Sequence, residues 1–332
     1  CVNSAEILSA ALSRPKVILG EDFEAGFKKL MRLWHPDLNK DPKAQDVSAK
    51  LNLLLQSARR LEKTGGYHQE LSLGGARNEK YYYSAEVHTS TGSLFVCDRH
   101  LIWKTKRSDD DLCRRWLETV KSFTFPAEKF RVEFDKILPK NSHTIAKGEY
   151  AYTIVSKPKE VIRVADIMAR HGKMDPKHVA WILSTMYNVS CWMSVTGISH
   201  YGFTVENYFI HPETHVGSLY GGWFFSAPKG QRPIAAPASV RQIFPDLKTA
   251  NRDEVHLRLI KIAGRQMLGH DSMSTLRRDD TIPRALRDWL VGSGGSNPID
   301  EYRKWHEVIP AAFGGRRFTK YDLTAADVYG DT

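Results

Sequence analysis

Cysteine is scarce in this chain. There are four in 332 residues, Cys1, Cys97, Cys113 and Cys191, and no CxxC pair. That excludes a zinc ribbon and a disulfide framework, and a reducing cytoplasm is the compartment expected. No run of about 18 apolar residues occurs, so no membrane-spanning helix is predicted. The opening Cys1-Val2-Asn3-Ser4-Ala5-Glu6 lacks a basic stretch followed by a long apolar one, which argues against a secretory signal. Internal repeats, low-complexity tracts and runs of five basic residues are also absent. With 42% apolar, 26% charged and 11% aromatic residues, the disordered, fibrous and collagen-like classes are excluded.

What is present is enough chain for about two domains, each able to bury a core. Lys and Arg total 48 against 38 Asp and Glu, a net charge of +10. A basic balance favours acidic partners: an acidic protein face, nucleotide phosphates or nucleic acid. Because the basic residues are spread out, nucleic acid is the less favoured of these, and an ordinary solvated surface accounts for the charge better than a binding face does.

The clearest seam is the glycine-rich stretch Gly65-Gly66 through Gly74-Gly75, read as a linker over 65–79 between a domain at 1–64 and the rest. The first segment reads as all helix. Ala5 to Leu12 forms a short one. Asp22 is positioned to cap a second, in which Phe23, Phe27, Leu30, Met31 and Trp34 make one stripe of a 3.6-residue period. Lys28, Lys29 and Arg32 lie off that stripe, and Pro36 ends the helix. A third helix carries Val47, Leu51, Leu54, Ala58 and Leu61, a seam suited to antiparallel packing on the second.

The tripeptide His35-Pro36-Asp37 therefore sits where a basic amphipathic helix stops and an antiparallel partner follows. This pattern resembles a J-domain, the module of DnaJ-like co-chaperones. The resemblance implies an Hsp70-binding face made by His35, Pro36, Asp37, Lys28, Lys29 and Arg32, which triggers ATP hydrolysis in the Hsp70. The physical logic agrees: cations steer toward an acidic surface, and proline holds the turn at little ordering cost. One departure is that the third helix lacks the aromatic usual in that family.

From residue 80 onward strands come first and helices later, an α+β order. Strands are expected at 81–87, 93–97, 101–104, 130–134 and 150–155, a helix at 112–123, and further helices near 161–170, 176–197, 253–268, 283–291 and 299–313. The order resembles the two-lobed protein-kinase-like fold, with a β-rich small lobe at 80–160 and a helical large lobe at 161–332. His200 and Asn207 match the ends of that family's His-x-Asp-x-x-x-x-Asn loop, Lys104 its phosphate-holding strand lysine, and Asp253 the structural aspartate of the core helix. The two carboxylate positions are Gly202 and Gly221, and the partner position for Lys104 falls near Trp116. Without those acids a metal-bound nucleotide is not positioned for transfer. The resemblance thus implies a pseudokinase with a vestigial cleft, no metal and no catalytic residue. ATP is the one candidate cofactor, and the missing acids argue against it, so none is expected.

Taken together, the chain reads as multidomain: an all-α J-domain-like hairpin that activates an Hsp70, then a silent kinase-like domain that binds a client protein. The fusion is one expected of a bacterial or bacteriophage gene. Two alternatives stay open: an atypical phosphotransferase that recruits Asp109-Asp110-Asp111 or Glu206, and a basic nucleic-acid-binding protein. Lesser features have ordinary readings. His211 and His215 flank a solvated turn, Ser293-Gly294-Gly295-Ser296 is a loop, and Trp181, Trp192, Trp223, Trp289 and Trp305 are core residues. The run Gly314-Gly315-Arg316-Arg317-Phe318 is a small basic surface patch.

Overall fold

The computed structural model describes residues 3–10, 12, 15–20, 22–63, 69–74, 79–315 and 319–329. Cys1, part of the glycine-rich seam and the Arg316-Arg317-Phe318 end of the basic patch lie outside them. The chain divides into two compact units. One comprises Cys1–Glu86 with Val96–Asp98 and Tyr329–Thr332, the other Val87–Phe95 with Arg99–Val328.

In the first unit, α1 (Ser4–Ser9), α2 (Pro15–Leu19), α3 (Phe23–Trp34) and α4 (Ala44–Lys63) precede β1 (Gln69–Gly74). The helices α3 and α4 run antiparallel. Glu24, at the start of α3, holds Arg59 near the end of α4 at 2.8 Å, and Met31 near the end of α3 meets Ser48 at 3.7 Å. Their shared core is Leu30, Val47, Leu51, Leu54, Leu55 and Ala58, closed by Ile7 from α1 and by Ile18 and Leu19 from α2. Phe23, Phe27, Met31 and Trp34 pack around its edge. The apolar stripes expected from the sequence are thus the ones that meet, except that Leu55 joins the core and Leu61 is only partly buried. The helix α2 was not expected, because five residues are too few to display a period. The supposed linker also contains β1, which pairs antiparallel with β2 (Glu79–Thr89), Glu70 opposite Tyr82.

The second unit opens with the end of β2 and the start of β3 (Gly92–Cys97), followed by β4 (His100–Lys106), α5 (Asp110–Lys121), α6 (Glu128–Phe134), β5 (His143–Lys147) and β6 (Tyr150–Ser156). Its strands run in the order β2-β3-β4-β6-β5. Both β4 and β5 pair antiparallel with β6, Lys104 lying opposite Tyr152. One expectation is corrected: 130–134 is helix α6 and not a strand.

After β7 (Ile162–Arg163) helices dominate: α7 (Val164–His171) and the long α8 (Pro176–Thr196). Asp175 caps α8, Pro176 opens it, and Gly197 ends it at φ +81°. Short strands β8 (Ser199–His200), β9 (Tyr208–His211), β10 (Val216–Leu219) and β11 (Ser226–Ala227) follow, β8 pairing with β11 and β9 with β10 and β7. The rest comprises α9 (Ala238–Ile243), α10 (Arg252–Met267), α11 (Met273–Arg277), α12 (Arg284–Val291), α13 (Pro298–Phe313) and α14 (Ala325–Tyr329). Buried α8 is the axis of this part, packed by α10 and α13. Among the described residues no helix is long and apolar enough to cross a membrane.

Candidate functional site

Two constellations of candidate residues stand apart, one in each unit. The first is the turn at the end of α3. His35 has φ −65° and ψ 128°, the extended conformation forced on a residue before proline, so the helix stops at Trp34. The amides of Leu38 and Asn39 both donate to the His35 carbonyl at 2.9 Å, and the Asn39 side chain donates to the Leu33 carbonyl at 2.8 Å. Asp37 donates its amide to His35 Nδ1 at 3.2 Å. The turn is thus closed on itself while its side chains stay outside, His35 being 42% and Asp37 83% exposed. Lys28, Lys29 and Arg32 are exposed on α3. All six residues singled out from the sequence therefore lie on one stretch, 28–37, with three cations on the helix and the closed bend at its end.

The second constellation surrounds β8 and the loop after it. His200 is fully buried. Its amide donates to Nε2 of His256 on α10 at 3.1 Å, and its own Nε2 lies 3.1 Å from the Gly221 carbonyl. Asn207 donates through Nδ2 to the Gly202 carbonyl at 2.8 Å and to Thr204 Oγ1 at 3.3 Å, and its carbonyl accepts the Gly221 amide at 3.1 Å. The structure thus brings His200, Gly202, Asn207 and Gly221 together.

The glycines explain how closely these backbones approach. A Cβ on Gly202 would lie 3.0 Å from Gly222 Cα, and one on Gly221 would lie 2.8 Å from Asn207 Oδ1 and 3.0 Å from Asn207 Cα. Gly222, at φ +77°, would set its Cβ 2.8 Å from His200 Cε1 and 2.9 Å from the Gly202 carbonyl oxygen. The volume that two carboxylates would need is filled by opposing main chain and by Asn207. A magnesium-bound nucleotide, such as an active kinase holds, does not fit these residues: the carboxylate ligands are missing and so is the space for them.

Lys104 does not join this cluster. Successive residues of a strand face opposite sides, and in β4 it is Trp103 and Thr105 that face α5. Trp103 is 2% exposed and meets Trp116, at 0%, with ring centroids 4.9 Å apart; Thr105 Oγ1 lies 3.3 Å from Cys113 Sγ. Lys104 sits on the other face, its Nζ 4.2 Å over the Tyr150 ring. Trp103 also abuts Phe209 of β9 at 6.5 Å, and Trp116 abuts Phe224 at 4.6 Å. Where a lysine–carboxylate pair was sought there is a packed aromatic column, with aromatic contacts worth about 0.5–1.5 kcal/mol each beyond burial.

Sequence reasoning missed Trp103, Gly222 and His256. Asp253, matched from the sequence to the structural aspartate of the core helix, accepts from Ser194 Oγ at 2.7 Å and from Arg252 at 3.2 Å; His256, nearly one turn further along α10, takes the His200 amide. Of the acids weighed as replacements, Asp109 accepts from Ser108 Oγ at 3.5 Å, Asp110 lies 3.7 Å from Arg107, Asp111 accepts the neighbouring Leu112 amide, and the Glu206 side chain is exposed.

Burial holds both His200 and His256 near a pKa of about 3, well below the ordinary 6.5, reinforced at His200 by His256 and at His256 by Arg252. Both are neutral when folded and titrate normally when unfolded. Their contribution is intact above pH 6.5 and is lost as pH falls from there toward 3. At pH 5 the loss is roughly 2 kcal/mol per histidine. Urea unfolding should therefore show a clearly lower midpoint at pH 5 than at pH 7.5, with about half the difference gone in His256→Asn. A midpoint independent of pH contradicts the neutral pair.

No family model matches the chain, and no curated protein matches it. Among solved structures it is similar to the crystal structure of Rad53 1-466 in complex with AMP-PNP, at 12% identity and a TM-score of 0.46. That alignment covers 77% of this chain and 66% of the other.

Proposed function

We propose that this chain is a cytoplasmic co-chaperone: a J-domain-like hairpin that stimulates an Hsp70, joined to a kinase-like domain that transfers no phosphate and instead engages a client. The observation that carries the first part is the closed, outward His35-Pro36-Asp37 bend at the end of a helix with three exposed cations. Electrostatic attraction brings an acidic face to α3, and the preformed bend then docks with little loss of chain freedom. The hairpin hydrolyses nothing itself; its effect is on the partner's ATPase.

Support for the silent second domain comes from the order of its elements and from the close approach of Gly202, Gly221 and Gly222. The aromatic column of Trp103, Trp116, Phe209 and Phe224 adds to it, standing where nucleotide-binding side chains were sought.

The test is His35→Gln, assayed for stimulation of an Hsp70 from the same cell. The variant should lose stimulation at least tenfold while its circular dichroism and thermal midpoint match the parent, since His35 is half-exposed and outside the hairpin core. Equal stimulation by the two proteins removes the co-chaperone reading.

A further inference from the structure

The segment 319–328, whose last four residues belong to α14, is held to the rest of the second unit by a few polar and aromatic contacts. The Tyr321 ring stacks on His178, in the first turn of α8, with centroids 4.0 Å apart and planes 17° from parallel. His178 Nδ1 accepts the indole N–H of Trp181 at 3.4 Å. On its other side Trp181 stacks on His215, centroids 4.5 Å apart and planes within 6°. His215 sits in the β9–β10 turn at φ +52° and is hydrogen-bonded to the backbone of Thr319. Further on, the amide of Ala325 donates to Glu160 Oε2 at 2.9 Å. Glu160 itself, in the connector after β6, has φ +56°.

We infer that 319–328 is a strap docked by a neutral His178, and that protonating this imidazole undocks it. The geometry makes His178 the sensitive point. Its Nδ1 accepts from the indole, so the proton of the neutral ring is on Nε2 and an added proton must go to Nδ1. That places N–H against N–H and breaks the bond to Trp181. The ring that turns away is the one on which Tyr321 rests.

Burial, more than the surrounding charges, favours the neutral form. Burial lowers the His178 pKa; His215, 6.5 Å away, and Lys177 act in the same sense, and Asp175 opposes them. Burial also lowers that of His215, opposed by the Thr319 bond. On the strap, Lys320 is paired with Asp322 and feels Glu213, so it adds little net charge toward either ring. A group with a lowered folded pKa supports docking fully above the ordinary histidine range and loses that support as pH falls below it.

Hydrogen exchange on the full chain tests this at about pH 7.5 and about pH 5, with rates corrected for intrinsic pH dependence. Amides of 319–328 should exchange roughly tenfold faster at the lower pH while the α8 amides around Leu183 stay protected. In His178→Phe, which keeps a ring under Tyr321 but cannot titrate, the strap should stay protected at both values. Equal protection at both pH values in the parent overturns the inference, as does a strap that opens only together with α8 or a pH response retained in His178→Phe. Should that variant fail to fold, the parent still decides: the His178 imidazole, followed by proton NMR, must titrate with the same midpoint as strap opening, and a different midpoint refutes the coupling.

Discussion

Gly221→Asp should destabilise the second unit by about 3 kcal/mol or more and should not create a binding site for magnesium and nucleotide. The substitution puts the carboxylate back at the position where the kinase resemblance requires one. In the folded chain its Cβ alone meets Asn207 Oδ1 at 2.8 Å and Asn207 Cα at 3.0 Å, and main chain cannot retreat as a flexible side chain can. The charge would enter a region where His200 is fully buried, with no cation among the contacts described there. Gly202→Asp fails for a related reason, since its Cβ meets Gly222 Cα and carbonyl oxygen at 3.0 Å. Urea unfolding measures the cost, and thermal shift with and without ATP and magnesium measures binding. A stable Gly202→Asp, Gly221→Asp double variant that gained metal-dependent ATP binding would show that the loop is merely substituted and not closed.

The second large effect lies in the helical part. Lys261 of α10 and Glu301 of α13 form an ion pair at 3.0 Å, each about 5% exposed. Lys261 Nζ also reaches the carbonyls of Gly292 and Ser293 at 3.4 and 3.3 Å and lies 4.2 Å over the Trp289 ring, while Glu301 accepts the Gly295 amide at 3.2 Å. The pair thereby fastens the glycine-rich loop 292–295 to two helices. Removing one partner strands the other charge in the interior, so Lys261→Met and Glu301→Gln should each cost about 3–5 kcal/mol. Replacing both with apolar residues leaves no orphaned charge and should cost much less than the two single losses added. Denaturant midpoints for the two singles and the double decide it; strictly additive losses would mean the two charges do not depend on each other.

What the sequence made legible follows from how regular each pattern is. The α3–α4 hairpin was readable because a 3.6-residue stripe over a dozen residues has few other solutions, and the bend because proline dictates the residue before it. Helix α6 was misread for the opposite reason. Phe130, Val132 and Phe134 alternate like a strand, yet only Phe134 is buried, while Phe130 and Val132 are 37% and 50% exposed. The decisive signals were the i,i+3 and i,i+4 pairings of Arg131 with Glu128 and Asp135. In the second constellation the loop ends and the missing carboxylates were visible as letters. The contact of Gly202 with Gly222 was not, because a glycine's close neighbours are known only from three dimensions. The face of Lys104 was a matter of one residue of register: counting by twos along β4 from buried Trp103 turns the lysine away from α5.

The amide of Asp37 occupying Nδ1 of His35 also fixes what the bend can say to a receiving surface. With that nitrogen used as an acceptor, the neutral ring keeps its proton on Nε2, and the ring speaks only as a donor. A complementary surface must answer with a carboxylate or a carbonyl, and one that offers an ammonium or an amide N–H at that point is refused. On the proposed co-chaperone reading, discrimination among related chaperones would rest on a single main-chain bond two residues away, inside the bend itself.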